Sequence, residues 1–318
     1  MMKKILKQFS LPLAASLGAT MGALILYQCV TLRRANQKEN LSSCQKQEFY
    51  GIETAFEKRG YGKKLLLLHS IFPGASRMEW EKAAEALSKE YTVYTMDLPG
   101  FGQSQQPKKP WTAYQYAAFL HDFVQKEISG SVSVLAANSS ADLALIWSML
   151  YPEDLEKLVL ISPEGFGRGF ATTEDMKPLK MLLSPVIGTQ RFLQDTKKSR
   201  LKSMLEEMFY EKERLDPDFL EAVCQNARRG AHAQMVYAAI KTRFAAADTK
   251  DAFHRLEKPF LLIWGEKNIA NPWQYMEEAE KTRSNGEFLL FENTAALPHM
   301  ENTAAFVSSV TQFIDEQR

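Results

Sequence analysis

Short apolar runs alternate with longer stretches of helical spacing along most of this chain. Leu65-Leu66-Leu67-Leu68 is unbroken and ends at His69, the pattern of a strand covered on both faces. Glu79 to Leu87 places Trp80, Ala83, Ala84 and Leu87 on one side of a helix. Tyr91 to Met96 reads as the next strand, Trp111 to Val124 as a helix, and Val132 to Ala136 as a strand. Ser140 to Leu150 then reads as a helix and Leu158 to Ile161 as a strand. From about Gly165 to Leu256 the rhythm gives way to mostly helical sequence rich in Met, Leu and Phe. It resumes with the strand Phe260 to Trp264, a helix near Trp273 to Lys281, the strand Phe288 to Phe291 and a last helix to Phe313. This order predicts an α/β fold, a mostly parallel doubly wound sheet joined by right-handed crossovers. The helical insertion is expected to form a lid over the carboxyl edge of the strands, where open α/β sheets bind ligands.

The N-terminus has a different pattern. Lys3, Lys4 and Lys7 precede a stretch without charge from Gln8 to Leu32, followed by Arg33 and Arg34. About 20 apolar residues suffice to cross a bilayer as a helix. A cleaved secretory signal has the same order of features, but the run is longer than a usual signal core. The reading is an uncleaved single-pass anchor over residues 1–34, with the lipid bilayer as partner. Basic residues flank both ends, so the side of the membrane taken by the body stays open. Gly18 and Gly22 would allow two anchors to approach closely as a weak homodimer. Residues 35–47 are polar and read as a tether. Residues 48–164 and 257–318 read as the core, with 165–256 as the inserted cap.

Composition narrows the function. The hydrophobic fraction is 45%, enough for a sizeable core, and formal net charge is +1. That balance gives no reason to expect nucleic acid as a partner. Cys29, Cys44 and Cys224 are widely spaced and odd in number, and the histidines do not cluster at ligand spacing. Neither a disulfide framework nor a metal site is expected, and no cofactor.

Four segments carry a resemblance. They are Leu65 to Trp80 with His69 and Pro73-Gly74, the turn Asp97-Leu98-Pro99-Gly100-Phe101-Gly102-Gln103-Ser104, Val134 to Leu145, and Leu261 to Pro272 with Gly265-Glu266-Lys267. In order and at suitable spacing, they resemble α/β-hydrolases of the esterase, haloperoxidase and peptidase type, from about Glu48 to the C-terminus. The resemblance implies a Ser-His-Asp triad, with the serine on a strained strand-to-helix turn of the form G-x-S-x-G.

The chemistry departs from that pattern. The elbow reads Ala137-Asn138-Ser139-Ser140-Ala141, with Ser139 as the nucleophile position. The acid position is Asn268 and the base position is Ala296. Glu164 sits where some relatives place the acid. His299 and His232 are the candidates for a relocated base. His69, Ser70 and Asp142 are expected at the pocket, and the backbone amides of Ile71 and Ser140 as oxyanion donors. Ser139 to Asp142 also reads as a capping box, which makes Ser139 a helix cap rather than a nucleophile. Without a base a serine hydroxyl is a poor nucleophile, and in a complete serine-protease triad losing histidine costs about 10⁶ in turnover. One function is a membrane-tethered, non-catalytic hydrolase-fold protein that binds a small apolar ligand or a protein partner. The other is an esterase- or lipase-like serine hydrolase using Ser139 with a relocated base.

Overall fold

Period-two alternation in the central strands decides the architecture. In β3 (Lys64–Leu68), Leu66 and Leu68 join one apolar cluster while Leu65 and Leu67 join another on the opposite face. β5 (Val132–Ala137) and β7 (Phe260–Gly265) alternate in the same way. A sheet that buries both faces needs helices on both. The computed structural model describes residues 44–167, 176–283 and 286–316. The expected anchor over 1–34, with Gly18 and Gly22, lies outside the described residues. Among the described residues no helix is long and apolar enough to cross a membrane.

Eight strands form one sheet. The others are β1 (Gln45–Phe49), β2 (Ile52–Arg59), β4 (Thr92–Met96), β6 (Leu155–Ile161) and β8 (Glu287–Phe291). Their order is β1-β2-β4-β3-β5-β6-β7-β8. β2 pairs antiparallel with β1 and with β4, and every later pairing is parallel. α1 (Glu81–Leu87) and the C-terminal α12 (Thr303–Asp315) cover one face. α2 (Ala113–Phe123) and α3 (Ser139–Leu150) cover the other. Six helices lie between β6 and β7 among the described residues: α4 (Met176–Leu182), α5 (Ile187–Asp195), α6 (Lys198–Glu206), α7 (Pro217–Asn226), α8 (Ala233–Lys241) and α9 (Thr249–His254). α10 (Gln274–Thr282) and the single turn α11 (Pro298–Glu301) complete the fold.

The expected tether at 35–47 runs too far, because Gln45, Lys46 and Gln47 already belong to β1, and its residues 35–43 lie outside the described residues. This edge strand exposes four of its five residues, so it has no apolar alternation to announce it. It closes onto β2 through Tyr50 (φ 50°) and Gly51 (φ 73°), the two positive φ values that a tight hairpin requires.

The turn after β4 is held by one carboxylate. Asp97 is fully buried. It accepts from the amide of Arg77 (2.7 Å), the amide of Gln103 (2.8 Å) and the Arg77 guanidinium. Gly102 has φ 46°, and a Cβ there would run into the Asp97 carboxylate. The glycine is required by the approach as well as by the dihedral. This turn carries Pro99 and Phe101 into the wall of the cavity described below.

Asp97→Ala is expected to cost about 3–5 kcal/mol in chemical denaturation, because it leaves a buried guanidinium and two amides without their acceptor. A loss below about 1 kcal/mol would show that Glu57, which also pairs with Arg77 at 3.1 Å, carries the guanidinium alone.

Candidate functional site

β5 passes to α3 through one residue, and that residue is Asn138. Its backbone stands at φ 52°, ψ −123°, outside the regions open to ordinary L residues. Such a conformation costs on the order of 1–3 kcal/mol and persists where the surroundings hold it. The Asn138 amide donates to Ile161 O (2.8 Å), and Ala136 and Ser140 on either side are fully buried. This is the strained strand-to-helix turn of the elbow. It falls one residue earlier than the sequence reading placed it. Ser139 is therefore not at the nucleophile position but is the first residue of α3, and Asn138 stands where the serine would be. The amide following the elbow residue belongs to Ser139, so Ser140 does not supply it. Ser140 instead donates its hydroxyl to His69 O in the interior.

Sequence reasoning missed Asn138. The segment Asn138-Ser139-Ser140 offers two registers with small residues at both flanking positions. The distinguishing signal was the asparagine itself, since Asn tolerates positive φ better than most residues. A carboxamide has no nucleophilic hydroxyl and no thiol. Its Nδ2 donates to Ser70 Oγ (2.8 Å) and to Ala296 O (3.4 Å).

Ser70 is the middle of a buried polar chain. Its hydroxyl donates to Glu79 Oε1 (2.8 Å) and its amide to Glu79 Oε2 (3.0 Å). His299 Nε2 donates to the same Glu79 Oε1 (3.0 Å), and its ring stacks on Trp80 with centroids 4.3 Å apart. His299 is thus held by a carboxylate behind the site and is not a relocated base. His69 is equally fixed: Nδ1 donates to Ser70 O (2.7 Å) while Nε2 accepts from the Leu98 amide (3.1 Å). Burial lowers its pKa, and the neutral ring suits both bonds. His69 and Ser70 stand behind the cavity wall rather than in it. His232 caps α8 on another surface, where its amide donates to Gln106 Oε1 (2.7 Å).

Asn268, at the acid position, accepts from the Asn271 amide (3.1 Å), while its Nδ2 is buried without a protein partner. Asn271 in turn bonds Ser162 O and Pro163 O. At the base position the Ala296 amide donates to Met208 O of the lid (3.0 Å). The same loop is tied down by Glu301, whose carboxylate accepts from the amides of Ala295 and Tyr210.

A cavity of about 410 Å³ lies between the sheet edge and the lid, within the size range of small-molecule sites. Its walls are mostly apolar, with Ile71, Trp111, Leu143, Met204, Val236 and Ile240 among them. Val236 and Ile240 lie on one face of α8. Ser139, Asp142, Glu164 and Arg243 form its polar end. None of the five histidines lines it.

The capping box that the sequence implied, with Ser139 as cap and Asp142 as its acid, does not form. The N-cap of α3 is Asn138, with no side-chain cap bond. Both Asp142 oxygens accept from the Gly165 amide at 3.0 Å. A Cβ on Gly165 would run into Thr249 and Asp142, so glycine here serves close approach rather than hinge motion. Burial, then the neighbouring Glu164 carboxylate, push the Asp142 carboxyl up to about 8, against weaker opposition from the Gly165 amide and Arg243. Glu164 therefore faces the cavity as the partner of Asp142.

Residues 64–303 match the alpha/beta hydrolase fold family. The chain belongs to that family. An uncharacterized protein of Mycobacterium tuberculosis is 22% identical over 278 residues, covering 84% of this chain and 79% of its own length. The pimeloyl-[acyl-carrier protein] methyl ester esterase of Aeromonas hydrophila is 23% identical over 269 residues, covering 83% of this chain and 100% of the esterase. Among solved structures, a meta-cleavage product hydrolase from Pseudomonas fluorescens superposes with a TM-score of 0.72 at 17% identity, over 87% of this chain and 99% of that one. A membrane phospholipase A gives a TM-score of 0.68 at 20% identity, over 98% of both chains. At these identities the structural likenesses show the hydrolase fold alone.

The raised Asp142 carboxyl has a consequence for stability. The folded state keeps a proton that the unfolded chain releases near pH 3.8, so this group's contribution falls as pH rises from about 4 through about 8. Asp142→Asn is expected to flatten the decline in melting temperature between pH 5 and pH 8. An unchanged slope would show that Asp142 is ionised in the folded protein.

Proposed function

We propose that this is a membrane-anchored member of the hydrolase-fold family that binds a small apolar ligand and does not catalyse hydrolysis. The observation that carries the reading is Asn138 at the elbow. The three positions that would hold nucleophile, acid and base are Asn138, Asn268 and Ala296, and none of these side chains can attack, protonate or accept a proton near neutral pH. A cavity of ligand size, lined by Ser139 next to the elbow, is nevertheless kept. Loss of the reacting groups with retention of the binding space favours recognition over turnover.

The serine-hydrolase alternative needs an imidazole or carboxylate to deprotonate Ser139. The rings of His299 and His69 are engaged elsewhere and His232 lines another surface, so among the described residues Asp142 and Glu164 are the carboxylates that share the cavity with Ser139. Asp142 keeps its proton up to about pH 8. Its anion would also lie at the helix start where an oxyanion would form. Two unit charges about 4 Å apart repel by roughly 4 kcal/mol at an effective dielectric near 20. The membrane part of the proposal rests on the uncharged stretch from Gln8 to Leu32 between basic flanks.

Purified full-length protein is expected to resist labelling by a fluorophosphonate probe and to hydrolyse p-nitrophenyl esters no faster than buffer. Labelling or turnover that disappears in Ser139→Ala would reject the non-catalytic reading. Deletion of residues 1–34 is expected to move the protein from the membrane pellet to the supernatant after cell fractionation. Retention in the pellet would assign membrane attachment elsewhere.

A further inference from the structure

The outer layer of the lid carries apolar surface and charge that its packing does not use. α4 and α5 turn Leu179, Leu182, Phe192 and Leu193 inward onto Ala233, Tyr237 and Ala238 of α8. That inner side is filled, yet Met181, Leu183 and Ile187 stand outward at 55%, 38% and 68% exposure. Large apolar side chains grouped on a surface mark a contact with a partner or a membrane. The same stretch is basic. From Arg168 to Ser203 eight Lys and Arg stand against Glu174, Asp175 and Asp195, in a chain whose formal net charge is +1. Arg191 pairs with Asp195 (3.0 Å), Lys198 with Glu221 (2.9 Å) and Lys202 with Glu206 (3.5 Å). Lys177 and Lys180 share α4 with Met181, and Lys197 and Arg200 follow α5; all four are exposed.

The chain enters the body on the lid side. Gln45 is level with Phe56 of β2, and Phe56 with Met96 at the carboxyl end of β4. Cys44 donates to Gln103 (3.2 Å). Gln103 lines one cleft with Asp218 and Glu221 of α7 and another with His232 at the start of α8. α5 is joined to that end of α8 by the bond from Thr189 to Gln234 (2.8 Å). Nine residues, 35–43, separate Arg34 from Cys44, a reach of at most about 30 Å. An anchor ahead of them holds the lid edge of the sheet near the bilayer, not the opposite edge. Resting on the membrane reading above, we propose that the outer face of α4 and α5 lies on an anionic phospholipid bilayer. Met181, Leu183 and Ile187 enter the boundary between headgroups and acyl chains, and Lys177, Lys180, Lys197 and Arg200 meet the phosphates. Nucleic acid has phosphates but no apolar phase for the three side chains, and a second copy would bring like charges together. Such a contact alone is marginal and is weakened by salt. Beside an anchor it is intramolecular, which raises its effective concentration.

The test uses full-length protein in vesicles that contain an alkyne-tagged phospholipid. The photocrosslinker p-benzoylphenylalanine replaces Ile187, Met181 or the exposed Tyr61, which precedes β3 at the opposite edge of the sheet. The expected result is at least about fivefold more lipid adduct at Ile187 and Met181 than at Tyr61, in vesicles with about one third phosphatidylglycerol. K177E/K180E/K197E/R200E, combined with the crosslinker at Ile187, is expected to bring its adduct down to the Tyr61 level. The melting temperature should not fall, since all four side chains are exposed. An adduct to a second copy in place of lipid, or a lipid adduct that survives the charge reversal, would overturn the proposal. An alkaline carbonate wash of a parallel sample separates the two readings. Protein that stays in the vesicles with no lipid adduct at Ile187 or Met181 leaves the anchor standing and overturns the lid contact. Protein extracted by the wash but crosslinked to lipid at Ile187 overturns the anchor and supports the lid contact. Extraction with no adduct overturns both.

Discussion

The handover from β5 to α3 is the constraint on which the site depends. A parallel strand in the centre of the sheet must become a helix on one face within a single residue. The dihedral pair at Asn138 is the means. That geometry points the Asn138 side chain across the sheet edge, toward Ser70 on the loop after β3 and Ala296 on the loop after β8. It also fixes the start of α3, and with it the places of Ser139 and Asp142 in the cavity. The family's architecture is retained because the backbone needs it, whatever side chain occupies the turn.

A buried polar chain adjoins the elbow. His299, Glu79, Ser70 and Asn138 are linked by bonds of 2.8–3.0 Å behind the cavity. Such a buried network is stabilising only when its members are satisfied, and it then specifies a single arrangement. Glu79 meets this through three donors from two residues. Two atoms at the margins, Asn268 Nδ2 and His299 Nδ1, stay without a protein partner. A buried unpaired polar atom costs on the order of 1–3 kcal/mol.

Strands buried on both faces were legible because their apolar runs have no other use. The runs at Leu65, Val132, Leu158 and Phe260 all fall in strands, and the helices that follow them fall within one or two residues of their expected bounds. The edge hairpin was not legible, since β1 shows only polar residues to solvent. The turn Asp97 to Ser104 was recognisable because one carboxylate, one arginine and one glycine fix it. The elbow register was ambiguous by one residue, and strain rather than residue type decided it. The partner of Asp142 was hidden as well. Its place at the pocket was expected, but the Gly165 amide that its carboxylate binds comes from a distant turn that only the fold brings there. Arg243 had no signal at all, because only the folded lid brings it to the polar end.

Asn138, Asn268 and Ala296 lie on three loops that are far apart in sequence: after β5, after β7 and after β8. Members of a reacting constellation act as a unit, so restoring any one alone recovers almost nothing. Any single replacement at Asn138 or Asn268 would also disturb the bonds that these side chains make. On the non-catalytic reading proposed above, the way back to turnover is closed by the distance between loops rather than by any one side chain.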